Sequence, residues 1–165
     1  MEIFLVHFSP ITRTSNNSNT FKIMMTATRF YAEVDALQLS LPANMFKFCD
    51  MDSDVPYLKM VAITNAKNMY TLRVDLDQFP ESIPKVFVTK MLKSKFGDDL
   101  DSPSHEMHTL GSEHGFTRIC HYGNTSWKPD VSLNKVYLKC RVWLEAYEAH
   151  LETGDNICDY LGTQN

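Results

Sequence analysis

No apolar run in this chain approaches the length of a membrane span. The apolar start Met1-Glu2-Ile3-Phe4-Leu5-Val6 is short, and it lacks a basic leader and a small-residue cleavage site. Neither a spanning helix nor a signal peptide is expected. Positive charge is also scarce. The 16 Lys and Arg are outnumbered by 20 Asp and Glu, and the net charge of −4 argues against the basic face of a general nucleic-acid binder. Four cysteines in 165 residues call for no disulfide framework, so a reduced, cytoplasmic protein is expected. There is no Gly-rich phosphate-cradling loop, and therefore no sign that the chain activates a carboxylate with a nucleotide itself. No internal repeat is visible.

What is present is an ordinary globular composition, 44% hydrophobic and 22% charged, on a chain long enough for one domain and one core. Thr12 to Thr20 is a polar Ser/Asn/Thr stretch without periodicity. Residues 1–25 therefore read as a loose arm ahead of a domain over 26–165, with Met25 the expected native start. From Thr28 to Leu41 the apolar residues Phe30, Val34, Leu37 and Leu41 recur at helical spacing, with Thr28 as cap and Pro42 as stop. Arg29 and Glu33 fall on the face that this periodicity leaves exposed.

Three strand-like runs follow, Met45–Asp50, Tyr57–Thr64 and Tyr70–Asp77. In the third, Tyr70, Leu72, Val74 and Leu76 alternate with Thr71, Arg73, Asp75 and Asp77, as in a half-buried antiparallel strand. Short turn-like linkers make them a meander. Phe79-Pro80 and Pro84 frame a tight loop, and Lys85–Thr89 completes four antiparallel strands. Residues 90–119, with Gly97, Pro103, Gly111 and Gly115, read as a long irregular loop. A second helix runs from Leu133 to His150, capped by Ser132 and stopped by Gly154. Its stripe is Leu133, Val136, Tyr137, Cys140, Trp143 or Leu144, Tyr147 and Leu151. The fold class expected is α+β.

Cys120 stands out chemically. It ends the run Gly115–Ile119 among polar neighbours and loops, which make a poor core site and a good place for a reactive thiol. Cys140 lies on the apolar stripe and reads as a small core hydrophobe, with Cys49 and Cys158 expected to follow it. Trp127 reads as a rigid packing element under the loop. His105, His108, His114 and Cys120 fit no common zinc spacing, and no metal is expected. A cysteine hydrolase pairing Cys120 with one of these histidines has no local signature behind it. Gly111-Ser112-Glu113-His114-Gly115 is not a nucleophile elbow, because the serine is not central.

The order of elements, with Phe79-Pro80, Ile83-Pro84-Lys85-Val86, Ile119-Cys120, Trp127-x-Pro129 and Ser132-Leu133, resembles the ubiquitin-conjugating family from Thr26 to about Tyr160. Trp143-Leu144-x-x-Tyr147-Glu148 and Thr153-Gly154 are similar to its bacterial branch, members of which occur in antiphage operons. The resemblance implies a thioester on Cys120 and transfer of a protein C-terminus to a lysine amine, without a cofactor. It implies an activating enzyme or a pre-activated donor, which is either a ubiquitin-like protein or the C-terminus of a cyclic-oligonucleotide synthase. Glu152 and Asp155 occupy the place of groups that orient the acceptor lysine, and Arg29 and Glu33 that of a surface meeting the activating partner. The family carries His-Pro-Asn ahead of its cysteine. Here the nearest match is His108-Thr109-Leu110, which lacks the Pro and the Asn. His108 is expected to keep a structural role, and Asn124 or a backbone N–H beside His121 to face the oxyanion. A non-catalytic binding module of the same fold is the rival reading. For the arm, mass spectrometry of the native protein should find Met25 at the N-terminus, and a peptide from residues 1–24 would overturn that start.

Overall fold

The computed structural model describes residues 25–162, so residues 1–24 of the N-terminal arm lie outside the described residues. The described residues form an α+β fold, with one seven-stranded antiparallel sheet and three α-helices. Helix α1 spans Ala27–Gln38, followed by a 3-10 turn at Ala43–Met45. Strands β1 (Phe46–Cys49), β2 (Tyr57–Ile63), β3 (Met69–Asp75) and β4 (Val86–Val88) pair in sequence order. Helix α2 (Leu133–Thr153) and the short α3 (Ile157–Leu161) close the chain. Among the described residues, no helix is long and apolar enough to cross a membrane.

The sheet does not stop at four strands. Residues 90–119, read as irregular loop, contribute β5 (Pro103–Ser104), β6 (Thr109–Glu113) and β7 (Phe116–Ile119), giving the order β1-β2-β3-β4-β7-β6-β5. His114 and Gly115 join β6 to β7 with positive φ at both residues, the two-residue turn whose twist matches paired strands. These strands escape hydrophobic patterning because, Ile119 apart, their buried positions are polar or small. Thr109, Gly111 and Thr117 are buried, while Leu110 faces solvent. The Thr117 hydroxyl compensates by accepting the Leu92 N–H at 2.9 Å.

Leu58, Val74 and Val86 lie side by side across β2–β4, as do Met60, Leu72 and Val88, and all six are fully buried. This face packs with Leu133, Val136, Cys140 and Leu144 of α2 in one core. Helix α2 begins with the Ser132 hydroxyl accepting the Lys135 N–H and ends at Gly154 in the left-handed region. It runs to Thr153 rather than His150. Leu151, assigned to its stripe, is exposed, and His150 is buried in its stead. That ring is satisfied, since its Nε2 accepts the Lys95 N–H at 3.1 Å and its Nδ1 faces the Asp155 carbonyl at 2.6 Å.

Helix α1 departs from its expectation in two ways. Its cap is Thr26, not Thr28, with the Thr26 hydroxyl accepting the Arg29 N–H at 3.2 Å. More important, Glu33 is only 2% exposed and takes the inward position between Phe30 and Leu37, leaving Val34 half-buried. One Glu33 oxygen pairs with Arg29 Nε at 2.6 Å, and the other accepts the Leu133 N–H at 2.6 Å. The same guanidinium donates to the carbonyls of Pro129 at 2.7 Å and Val131 at 2.9 Å. Arg29 and Glu33 are therefore an internal clamp rather than a free surface. Cys49 and Cys158 are half-buried, at the edge strand and on α3, and only Cys140 is a core cysteine.

Removing one partner of a buried ion pair strands the other and is strongly destabilising. Glu33→Ala should lower unfolding free energy by about 3 kcal/mol, the low end for such pairs because Arg29 keeps two carbonyls and partial access to water. Glu33→Gln should cost less. Chemical denaturation checks both, and a loss below about 1 kcal/mol would assign the pair to the surface class.

Candidate active site

Cys120 follows the last residue of β7 and is half-buried. Its backbone N–H donates to the His108 carbonyl at 2.8 Å, and the Trp143 indole N–H donates to the same oxygen at 3.1 Å. One carbonyl thus ties the cysteine backbone to the middle of α2. His108 adopts a left-handed φ of 48°, a region few non-glycine residues visit. Its ring faces His105 at 5.7 Å. Burial and the neighbouring His105 together hold the His108 imidazole below the usual histidine range.

Beyond Cys120 the chain is fixed from the opposite side. The Trp127 indole N–H donates to the Pro80 carbonyl at 3.0 Å, and its ring meets Phe79 edge-on at 6.2 Å and Tyr122 at 5.3 Å. Phe79 is fully buried, with the Arg29 guanidinium over its ring at 5.1 Å. The clamp on α1, the proline-framed loop and the Trp127 turn therefore form one connected support. Trp127 has the packing role its sequence context suggested.

Two open clefts meet at Cys120. One, of about 530 Å³, is lined by Glu81, Pro84, Arg118, Asn124 and Trp127. The other, of about 410 Å³, is lined by His108, Lys139, Val142, Trp143 and Leu161. Cys120 and His121 line both. Burial raises the Cys120 thiol above the ordinary thiol range, and Arg118 offsets part of that effect. At neutral pH the resting sulfur is a thiol, not a thiolate.

His121 has an unusual environment. Both of its ring nitrogens are buried and neither makes a well-formed hydrogen bond, a state that costs about 1–3 kcal/mol per unmade bond. Burial drives its pKa down to about 4. The Ile119 carbonyl pulls upward, and the charges of Lys139 and Arg118 add to the downward push. The imidazole is neutral at any physiological pH.

The remaining sequence candidates are spread out. Asn124 is exposed in the Gly123–Ser126 turn, where the Gly123 carbonyl accepts the Ser126 N–H at 3.1 Å. Glu152 and Asp155 line neither cleft. The Glu152 carbonyl accepts from Lys95 Nζ at 2.5 Å, and the Asp155 carboxylate accepts from the Tyr160 hydroxyl at 3.1 Å. Both belong to the finish of α2. His114 sits at the β6–β7 turn and lines a separate cleft on the far face of the sheet, away from the His105 and His108 rings. Sequence reasoning missed Arg29, Glu33, Arg118 and Trp143 as builders of the site. The only signal in the sequence was the i,i+4 spacing of Arg29 and Glu33.

Set against family models, curated proteins and solved structures, the chain matches none of them. The family resemblance rests on the residues quoted from the sequence.

A histidine with a depressed folded pKa takes up protons in the unfolded chain first. Its stabilising contribution is complete above the unfolded value near pH 6.5 and is lost as pH falls toward about 4. His108 contributes in the same direction. His121→Phe should therefore flatten, though not abolish, the decline of thermal stability between these values, as read by melting curves across pH.

Proposed function

We propose that this chain is a ubiquitin-conjugating-type transferase. It carries a protein C-terminus as a thioester on Cys120 and passes it to a lysine amine. The observation that supports this most is the place of Cys120, where two clefts meet on a rigidly held backbone. A thioester exchange needs room for an acyl chain on one side of the sulfur and for an amine on the other. The two clefts offer that arrangement without rearrangement of the core. Because the thioester is already activated, positioning supplies much of the acceleration.

The donor is a ubiquitin-like protein or the C-terminus of a cyclic-oligonucleotide synthase, and the setting is bacterial antiviral defence. Both follow from the bacterial-branch resemblance. A separate activating enzyme, or a donor activated elsewhere, supplies the acyl group. Two observations favour a second reading, a non-catalytic binding module: burial raises the thiol, and no asparagine stands in the His-Pro-Asn position.

The two readings separate on a trap. Cys120→Lys, purified from cells expressing the neighbouring genes, should carry the donor as a stable isopeptide visible by intact mass and peptide mapping. The C-terminal residues of the adduct would name the donor. A bare protein, with active partners present, would favour the binding module.

A further inference from the structure

The chain lacks the asparagine expected to face the oxyanion, and the described site holds one polar side chain with no bond to make in the resting protein. That side chain is His121, which lines both clefts at Cys120 and whose buried ring nitrogens make no well-formed hydrogen bond, the Ile119 carbonyl being the one acceptor that acts on the ring. Buried polar groups are nearly always satisfied, and an exception beside a reactive group points to a bond reserved for another state. We infer that the His121 imidazole donates the hydrogen bond that stabilises the tetrahedral oxyanion formed when an amine attacks an acyl group on Cys120. The inference rests on the transferase reading above and supplies its missing residue.

The step balances without any further reactant. The amine nitrogen forms a bond to the thioester carbonyl carbon, and the C=O π pair moves onto oxygen. His121 N–H donates to that oxygen and keeps its proton throughout. Collapse restores the carbonyl, breaks the C–S bond and returns the pair to Cys120 sulfur, while the amine proton passes to solvent. A neutral imidazole is too weak an acid to surrender its N–H proton to the oxyanion, and burial beside two cations keeps the ring in that form. The cations that disfavour imidazolium, Arg118 and Lys139, also favour a nearby oxyanion. The ring nitrogens are covered in the unloaded protein, so the bond is made as the side chain turns toward the acyl group.

The other candidates fit less well. The Asn124 side chain is exposed at a turn, where a solvated donor contributes little. His108 turns its carbonyl, not its ring, to the Cys120 backbone.

The test needs no natural donor. In a background in which the two other half-buried thiols are removed (Cys49→Ser, Cys158→Ser), a short peptide thioester of mercaptoethanesulfonate in excess should load the full-length protein at Cys120 by thiol exchange, read by intact mass, and the further change Cys120→Ala should leave it bare. Discharge of the loaded protein to free lysine is then timed. His121→Phe, which fills the same space without a donor, should slow discharge roughly 100-fold. His121→Gln, a donor that cannot act as a base, should recover most of the rate, and Asn124→Ala should match wild type. Equal discharge by all variants, or a loss confined to Asn124→Ala, would overturn the inference while leaving the transferase reading intact. Failure of the wild type to load would overturn both. Should His121→Phe not fold, the 15N imidazole signals of the wild type decide the matter. The His121 resonance should move on loading, and an unmoved one would overturn the role.

Discussion

The carboxylate of Glu33 is buried between a guanidinium and a helix N-terminus, and the geometry of the site depends on that contact. A carboxylate this deep is tolerated only when it is paired and hydrogen-bonded. Here one oxygen takes Arg29 Nε and the other takes the Leu133 N–H, an orphan donor of the first turn of α2. Negative charge there is favoured by the helix dipole. The pair therefore does two tasks at once, anchoring α1 and starting α2. Because Arg29 also reaches the Pro129 and Val131 carbonyls, the chain between Trp127 and α2 has little freedom left.

A second tie meets the first across the sheet. Trp143 on α2 donates to the His108 carbonyl, which also receives the Cys120 N–H. Helix α2 is thus bound at its start to the segment after the cysteine and at its middle to the cysteine backbone. Further along, the Tyr147 hydroxyl donates to the Lys93 carbonyl, and His150 binds the Lys95 N–H. The helix that fills the core is also the ruler against which the loops around the site are set. Backbone rigidity at Cys120 coexists with open space at its sulfur, which is the combination a carrier thiol requires.

Much of this was legible from hydrophobic spacing. Tyr70, Leu72, Val74 and Leu76 are buried, and alternation alone places β3. Ser132 and Gly154 cap α2 as their chemistry requires. Strands β6 and β7 were not legible, because Thr109, Gly111 and Thr117 fill all their inward positions but that of Ile119 with small or hydrogen-bonded groups rather than apolar bulk. The clamp was hidden for a related reason. Periodicity scores Arg29 and Glu33 as a solvated face, while their partners are backbone atoms about a hundred residues away that carry no side-chain signature. Cys120 and His121 stood out in the sequence as candidates, but the burial of the His121 ring did not. Nothing in the letters Cys-His says that both ring nitrogens are sealed from water.

The raised thiol has a consequence for any acyl group held there. A thiol of higher pKa spends less time as thiolate, but it is also a poorer leaving group, so its thioester exchanges more slowly. Resting reactivity is given up for persistence of the loaded state. Such a carrier gains speed only from groups that act on the adduct and not on the free sulfur. Arg118 is the one group that lowers the resting thiol at all, and its effect is outweighed by burial. His121 has the complementary character, being inert toward the free thiol as a neutral ring and matched to a charge that exists only once a carbonyl is attacked. On the proposed transferase reading, the charges around Cys120 act on the attacked carbonyl rather than on the resting thiol.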